Sequence, residues 1–203
     1  MLFRSRVKLI LKKLPKAKKI STNAPNPFYV AEFGQTKVLL GATGIGSPNA
    51  AITVEVLSSL GVTTFIRVGS TGAIQPQIEV GDIIIARGAV RNEGTTTAYT
   101  QIQYPASTNP QITLALEHAC RRLGFKYFSG IVWTSDALFM KENEYFQTMR
   151  RANVLSVEME CSTIFTLCNL KGLKAGAILV VDGNLVTGRG QAGRFDLGSR
   201  RST

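Results

Sequence analysis

The chain has 203 residues, 44% of them hydrophobic, and a formal net charge of +11. This length suits one domain, or at most two small ones, with a buried core, and no stretch reaches the roughly 20 apolar residues that span a bilayer. The charge lies at the ends, because residues 1–19 carry eight Lys or Arg and no acid, and residues 187–203 carry four Arg and one acid. Because the remaining basic and acidic residues are equal in number, we expect no specific nucleic-acid partner. The missing apolar span predicts no membrane partner, and cysteines expected to be reduced predict a cytoplasmic protein.

The predicted elements alternate between strands and helices from about residue 37 onward. Strands are predicted over 37–41, 63–68, 82–86, 127–133 and 175–181, and helices over 47–60, 110–123, 141–151 and 157–170. Ser47 is the expected N-cap of the first of these helices, with Pro48 at its N1 position. The polar stretch 92–109 is predicted to be a long loop of the kind that often borders a site. The alternation predicts an α/β fold, and the lack of a linker predicts a single domain over residues 1–203.

The cysteine and histidine content disfavours a metal site. Cys120, Cys161 and Cys168 show no CxxC spacing, and His118 is the single histidine. Buried reduced thiols, a surface histidine and no bound metal are therefore expected.

A glycine-rich segment, residues 41–46, stands between a predicted strand and a predicted helix. Glycines allow close backbone approach and a helix N-terminus favours anions, so the segment could bind a ligand. A simple tight turn is the alternative. A dinucleotide fingerprint is not supported, because the GxGxxG spacing and the acidic residue that should follow it are missing.

A second cluster, residues 67–73, begins with an arginine at the end of an apolar strand. A buried guanidinium needs an anion or a carboxylate as partner. Arg67 is followed by Gly69, Ser70 and Thr71, whose amides and hydroxyls could complete a phosphate cradle. The alternative is a structural arginine paired with an acid.

A third motif, Val157 to Glu160, places two carboxylates on either side of Met159. Carboxylates two residues apart do not share a helical face, so one of the two is expected to point into a site. A carboxylate can accept from two vicinal sugar hydroxyls, and a thioether can lie against a sugar ring. The alternative is a pair of solvated acids in the first turn of a helix.

Taken together, these motifs resemble the nucleoside phosphorylase family, which includes purine nucleoside, uridine and methylthioadenosine phosphorylases. The resemblance runs from Val38 to Asn184 and is carried, in order, by residues 41–48, 66–74, 134–136 and 157–161. It implies a three-layer α/β sandwich, in which helices flank a central mixed, largely parallel twisted sheet. It also implies a homo-oligomer, usually of dimers assembled into a hexamer.

The resemblance assigns roles residue by residue. It implies that phosphate attacks C1′ through an oxocarbenium-like state, with inorganic phosphate as co-substrate and no metal or organic cofactor. The implied catalytic group is Arg67, Glu160 and Asp182. The implied phosphate ligands are Arg6, Arg67, Gly69, Ser70 and Thr71; the ribose ligands are Met159 and Glu160; and the base-side residues are Phe139, Glu158 and Gly72.

The sequence departs from the family pattern mainly at its ends. Of the residues that stand where the family has a GDPxR-like turn, Arg6 alone matches. Gly183 aligns with the aspartate that protonates a leaving purine, and Asp182 precedes it by one residue. No Gln-x-Arg pair that would read uracil follows Phe139, and residues 188–203 stand in place of a C-terminal helix. We therefore expect altered ends, over 1–19 and 187–203, around an ordinary domain.

Several functions remain open at this point. Uridine is the expected substrate, because a pyrimidine enzyme can work without the purine-protonating aspartate; purine nucleosides and methylthioadenosine are alternatives. A hydrolytic nucleosidase is disfavoured by Arg67, since attack by water needs no cation to hold an anion. A nucleoside- or phosphate-binding protein with little turnover is a further alternative.

Overall fold

The computed structural model describes residues 3–14, 16–20, 27–138 and 144–190. Its contacts divide the chain into two compact units, residues 1–45 and residues 46–203. The single domain predicted for residues 1–203 remains a prediction.

The first unit combines one helix with a small antiparallel sheet. Helix α1 (Phe3–Leu11) is followed by strands β1 (Lys18–Lys19), β2 (Phe28–Phe33) and β3 (Thr36–Gly41). Strands β2 and β3 pair from Phe28 opposite Gly41 to Phe33 opposite Thr36, which leaves a two-residue turn between them. Gly34 opens this turn with φ +60°, a conformation that tight hairpins require and that glycine adopts readily. The strand predicted over 37–41 is confirmed.

The second unit is built on a mixed sheet that has seven strands in the described part of the chain. They are β4 (Thr64–Ala73), β5 (Ile83–Asn92), β6 (Ala106–Ser107), β7 (Tyr127–Ser135), β8 (Ser156–Glu158), β9 (Lys174–Asn184) and β10 (Arg189–Gly190). Their order is β10-β9-β4-β8-β7-β5-β6. The two longest pairings, β4 with β9 and β5 with β7, are parallel. Strand β5 also pairs antiparallel with β9, so the sheet curls back on itself.

The second unit has four α-helices in the described part of the chain: α2 (Ser47–Ser59), α3 (Pro110–Arg122), α4 (Glu144–Arg151) and α5 (Cys161–Leu170). Helix α5 is apolar on nearly every side, as expected for a helix enclosed by protein, and it packs between α2 and the strands. Helix α3 packs against β5, β7 and β9. The predicted α/β architecture, a mixed sheet flanked by helices, is confirmed.

Most predicted boundaries are close to the observed ones, and the caps differ in an informative way. Asn109 caps α3, because its side-chain oxygen accepts from the amides of Gln111 and Ile112. The prediction of Ser47 as the N-cap of α2 is wrong: Gly46 occupies that position, and the buried Ser47 hydroxyl donates to the carbonyl of Met159 at 3.1 Å. The Ser47 hydroxyl therefore bonds to a residue distant in sequence and does not cap its own helix.

The prediction of a continuous helix over 157–170 is also wrong. Residues Ser156–Glu158 form strand β8, which pairs with β4 on one side and β7 on the other, and α5 begins only at Cys161. The backbone groups of Val157 would otherwise be left without partners between two strands, and this requirement outweighs local helix propensity.

The remaining sequence expectations concern the loop 92–109, the cysteines and the histidine, and the length of apolar helices. The segment 92–109 contains a short 3₁₀ helix, Thr96–Ala98, and strand β6. Cys120, Cys161 and Cys168 are buried free thiols and His118 is exposed, as predicted. No helix among the described residues is long and apolar enough to cross a membrane.

Candidate active site

Arg67 is a buried cation on the inward face of β4. Residues along this strand alternate between outward and inward faces, and Arg67, Gly69, Thr71 and Ala73 all point inward. The arginine is 8% exposed. Its guanidinium lies over Gly69, since a Cβ built on that glycine would be 2.9 Å from both Cζ and Nη2 of Arg67. The glycine therefore makes room for the arginine head group.

Two carboxylates pair with this cation, one from the last residue of β8 and the other from the N-cap of α5. The Arg67 Nε donates to Oε2 of Glu158 at 3.0 Å, and the Arg67 Nη2 forms an ion pair with Oε2 of Glu160. Burial by itself lowers the pKa of Arg67, but the two carboxylates outweigh burial and raise it overall. Both acids are themselves buried, at 4% and 1% exposure, so the alternative of solvated first-turn acids is wrong.

Glu158 has both of its oxygens engaged within the protein. Besides Arg67, the carboxylate accepts from the amides of Glu160 at 2.9 Å and Cys161 at 3.0 Å, and from the Thr134 hydroxyl at 2.6 Å. The two amides belong to the N-terminus of α5, which favours a negative charge. Glu158 is thus fixed between a helix N-terminus and a guanidinium.

Glu160 precedes α5 in the chain, and its carboxylate reaches the N-terminus of α2. Its Oε1 accepts from the amide of Gly46 at 2.7 Å. Burial raises the pKa of Glu160; Arg67 and the amide of Gly46 lower it, while Glu158 raises it further, and the net direction is upward. Two acids and one arginine would leave a buried negative charge, and the two helix N-termini, each equivalent to about half a positive charge, offset it.

The predicted phosphate ligands on β4 do not all face Arg67. Alternation along the strand puts Ser70 on the opposite face from Arg67, half-buried. The Thr71 hydroxyl donates to the carbonyl of Val157 at 2.8 Å and so ties β4 to β8. The sequence left a structural arginine paired with acids as an alternative, and that pairing is present here. A phosphate role for Arg67, Gly69, Ser70 and Thr71 remains a prediction.

The residues predicted to bind the ribose and the base lie at several different places in the chain. Met159 is half-buried between the two acids. The space over Gly72 is filled by Leu185, whose Cδ1 would be 2.5 Å from a Cβ at this position. Phe139 lies outside the described residues, and of Arg6 only the backbone, within α1, is described.

Asp182 occupies a bulge in β9. Val181 pairs with Thr71 and Gly183 pairs with Gly72, so Asp182 is the extra residue between two registers. Bulges redirect side chains and are frequent beside active sites. The half-buried position of Asp182 at the end of β9 is compatible with its predicted role, which remains a prediction.

Sequence reasoning assigned no role to three polar residues around this centre. Asn184 donates to the carbonyls of Gln75 and Ile78 and accepts from the amides of Val186 and Thr187, which holds the turn after β9. Thr134 and Glu93 are both buried and hydrogen-bonded close to α5. A polar residue directly after a predicted apolar strand was the available signal for Thr134. Glu93 lies in the predicted loop and Asn184 lies beyond the predicted strand 175–181, so neither gave this signal.

No group of three or more His, Cys, Asp or Glu side chains that could hold a metal occurs among the described residues. Burial raises the pKa of each cysteine thiol, that of Cys168 to about 12, so the thiols are neutral at physiological pH.

The chain was compared with known proteins. The sequence model of the phosphorylase superfamily matches residues 3–198. A uridine phosphorylase of Thermococcus kodakarensis is 40% identical over 191 residues, covering 87% of this chain and 69% of the relative. A guanosine phosphorylase of Halorubrum lacusprofundi is 42% identical over 158 residues, covering 78% and 66%. A uridine phosphorylase of Escherichia coli is 31% identical over 187 residues, covering 85% and 74%.

The chain thus spans from about two thirds to three quarters of the length of these relatives. The match extends across both described units and includes the segments that carry Arg67, Glu158 and Glu160. The chain belongs to the phosphorylase superfamily and, within it, to the nucleoside phosphorylase family that its motifs resemble.

Proposed function

We propose that this protein is a nucleoside phosphorylase that cleaves the N-glycosidic bond of uridine with inorganic phosphate, giving uracil and ribose 1-phosphate. The observation that carries the proposal is the buried Arg67–Glu158–Glu160 cluster, in which a cation suited to phosphate adjoins a carboxylate suited to sugar hydroxyls. The names of the relatives support the reaction and favour uridine.

In the proposed reaction, the bond between C1′ and the base nitrogen breaks and a bond from C1′ to a phosphate oxygen forms. The bonding electrons leave with the base, which takes up the proton that the phosphate loses, and positive charge develops on the sugar during the reaction. Glu160 would accept from the 2′- and 3′-hydroxyls while Met159 lies against the sugar. Arg67 would hold the phosphate, whose negative charge stabilises the developing cation, so that positioning and electrostatics supply the catalysis.

Arg67 would share its donors between carboxylates and phosphate during this cycle. Its Nε and Nη2 face Glu158 and Glu160 in the structure, so a phosphate that binds through Nη2 would compete with Glu160 for the guanidinium. Sugar hydroxyls that donate to Glu160 would weaken that ion pair and free Arg67. Nucleoside and phosphate are therefore expected to favour each other's binding, and Glu158 would keep Arg67 oriented throughout.

The other site assignments belong to the same proposal. Arg6, Gly69, Ser70 and Thr71 are proposed to complete the phosphate site, Phe139, Glu158 and Gly72 to border the base, and Asp182 to stand near the leaving group. A homo-oligomer built from dimers, a cytoplasmic location and the absence of any metal or organic cofactor are proposed on the same family grounds.

The test is base release from uridine, inosine, guanosine and methylthioadenosine, each with and without inorganic phosphate. Phosphate-dependent release that yields ribose 1-phosphate from uridine supports the proposal. Release without phosphate identifies a nucleosidase, and release from guanosine but not uridine moves the substrate to the purines, as the guanosine phosphorylase relative would suggest. Binding without release identifies a nucleoside-binding protein.

A further inference from the structure

A buried carboxylate outside the Arg67 cluster, Glu93, connects the loop after β5 with helix α5. Glu93 is 6% exposed. Its Oε1 accepts from the Ser162 hydroxyl at 3.0 Å and from the Thr96 hydroxyl, and its Oε2 accepts from the Thr96 amide at 2.9 Å. Glu93 thus fixes the first turn of α5 to the loop.

The loop itself is organised by a second buried arginine. The guanidinium of Arg91 donates to the Thr96 hydroxyl at 3.0 Å and to five backbone carbonyls, those of Thr96, Thr100, Gln101, Ile102 and Tyr104. These contacts hold the segment from residue 96 to residue 104 around one side chain. Glu93 is therefore bonded to a rigid part of the loop.

Thr134, at the end of β7, links this network to the Arg67 cluster. Its hydroxyl accepts from the amide of Ser162 at 2.8 Å and donates to Oε1 of Glu158 at 2.6 Å. Thr134 and Ser162 are fully buried. Hydrogen bonds thus connect Arg91 to Glu93 through the Thr96 hydroxyl, and Glu93 to the Ser162 hydroxyl. The Ser162 amide continues the network to Thr134 and Glu158, whose Oε2 accepts from Arg67.

The burial of this network argues for a role beyond stability. Buried polar groups cost desolvation free energy, and an apolar core of the same shape is often equally stable. Catalytic groups, by contrast, must be held within about 0.5 Å of their working geometry by partners whose own positions are fixed. One end of the network bears directly on Glu158, one of the two carboxylates that flank Arg67.

We propose that Thr134 and Glu93 are positioning residues for phosphorolysis. Thr134 holds the Glu158 carboxylate, and through it Arg67, while Glu93 holds the first turn of α5 and, through its start, Glu160. This inference rests on the proposed function of the Arg67 cluster, and neither residue touches substrate.

The experiment compares Thr134→Val, which removes the hydroxyl at nearly constant volume, with Thr134→Ser, which retains it. Phosphate-dependent uridine cleavage is measured with kcat and both KM values separated, per folded protein. Misplacement of catalytic groups of about 1 Å costs up to about 100-fold, so Thr134→Val should lower kcat by about 10- to 100-fold. The two KM values should change less than kcat, and Thr134→Ser should recover most of the rate. Glu93→Gln, which keeps one acceptor oxygen, should lower kcat by a smaller factor.

Thr166→Val is the matched control. Thr166 lies on α5 and is fully buried, and its hydroxyl has no hydrogen-bond partner among the described residues. Its loss should leave kcat unchanged. If Thr134→Val shows a lower melting temperature but an unchanged kcat per folded protein, or if serine fails to recover the rate, the positioning role is overturned.

A measurement independent of turnover separates this inference from the proposed function. Exchange of the Arg67 Nε proton with solvent is followed by nitrogen-15 NMR in wild type, Thr134→Val and Thr134→Ser. Faster exchange in the valine variant alone supports the positioning of Arg67 by Thr134, whatever the substrate proves to be. Equal exchange in all three proteins contradicts it. Absence of phosphate-dependent cleavage in the wild type contradicts only the proposed function.

Discussion

Two glutamates in this protein form ion pairs with arginines, and their pKa values shift in opposite directions. Glu160 is paired with Arg67, whose side chain is 6% exposed, and its pKa is raised because burial outweighs the ion pair. Glu117 is paired with Arg87, whose side chain is 59% exposed, and its pKa is lowered by hydrogen bonds from Ser129 and Arg87. Both glutamate side chains are nearly buried, at 2% and 7% exposure, so their neighbours decide the direction of the pKa shift. Glu160 shares Arg67 with the like charge of Glu158, whereas Glu117 has a hydroxyl donor, a solvent-exposed Arg87 and a second arginine, Arg121.

The difference in solvent exposure between the two arginines explains which ion pair is suited to binding a ligand. The Arg87 pair has donors enough to stabilise the ionised carboxylate and remains in contact with water, and pairs of this kind rarely contribute more than about 1 kcal/mol. The Arg67 pair is held in a water-poor site where its charges are not screened. A ligand that offers hydroxyls to Glu160 or an anion to Arg67 can therefore compete effectively for them.

The largest expected effect is that of Arg67→Ala. Removing the cation leaves two buried carboxylates without it, which should lower the free energy of unfolding by about 3–5 kcal/mol. Cleavage should fall by about 100-fold or more, as for loss of a group that stabilises transition-state charge. Urea unfolding and phosphate-dependent base release measure the two effects.

Arg87→Ala is the control for this first prediction. Because the Arg87 head group is largely in solvent, its loss should change the free energy of unfolding by less than about 1 kcal/mol and leave base release unaffected. Equal destabilisation by the two substitutions would contradict the role assigned to burial.

Gly69→Ala should have the next largest effect. The added methyl group would lie 2.9 Å from the Arg67 guanidinium and 3.0 Å from Cδ2 of Leu179, so the arginine head must move. Overpacking of this kind costs about 1–3 kcal/mol, and displacement of Arg67 should lower the rate as well. Thermal unfolding and steady-state kinetics provide the measurements.

Gly94→Ala serves as the matched glycine control. A Cβ at Gly94 would come no closer than 3.9 Å to Asp136, an ordinary contact. Its free energy of unfolding should remain within about 0.5 kcal/mol of wild type. An arginine that keeps its position in Gly69→Ala, seen as an unchanged KM for phosphate, would refute the steric explanation.

Glu160→Gln should reduce the pH dependence of stability. A raised pKa in the folded state means that Glu160 supports folding fully below its ordinary value of 4.5, and that this support is lost as pH rises through the folded pKa. Wild type should therefore lose more stability than the variant between pH 4.5 and neutrality. Urea unfolding at several pH values tests this, and parallel curves for the two proteins would contradict it.

Glu117→Gln should show the opposite sign and the smallest effect. The folded pKa of Glu117 is lowered, so its contribution is complete above the ordinary value of 4.5 and is lost as pH falls through the folded pKa. The stability difference between wild type and variant should shrink on acidification. A difference that grows on acidification would mean that burial dominates at Glu117 as well.

Much of the site could be predicted from local sequence. A lone arginine on an apolar strand, followed by glycine, indicated a buried cation with a special partner, and the spacing Glu-Met-Glu indicated a polar site. The partners themselves could not be predicted, because Glu158 and Glu160 lie about ninety residues from Arg67 in the chain. The role of Thr134 was hidden for the same reason, since its hydrogen bonds join three separate elements.

The sequence by itself determined the α/β class, the buried thiols and the family, because hydrophobic periodicity and local motifs are written in neighbouring residues. Tertiary structure alone decided that residues 156–158 form a strand, that the Ser47 hydroxyl bonds to Met159 instead of capping its helix, and that both acids of the motif face Arg67. In each case a buried polar group had to find a partner, and the available partner belonged to a distant element of the fold.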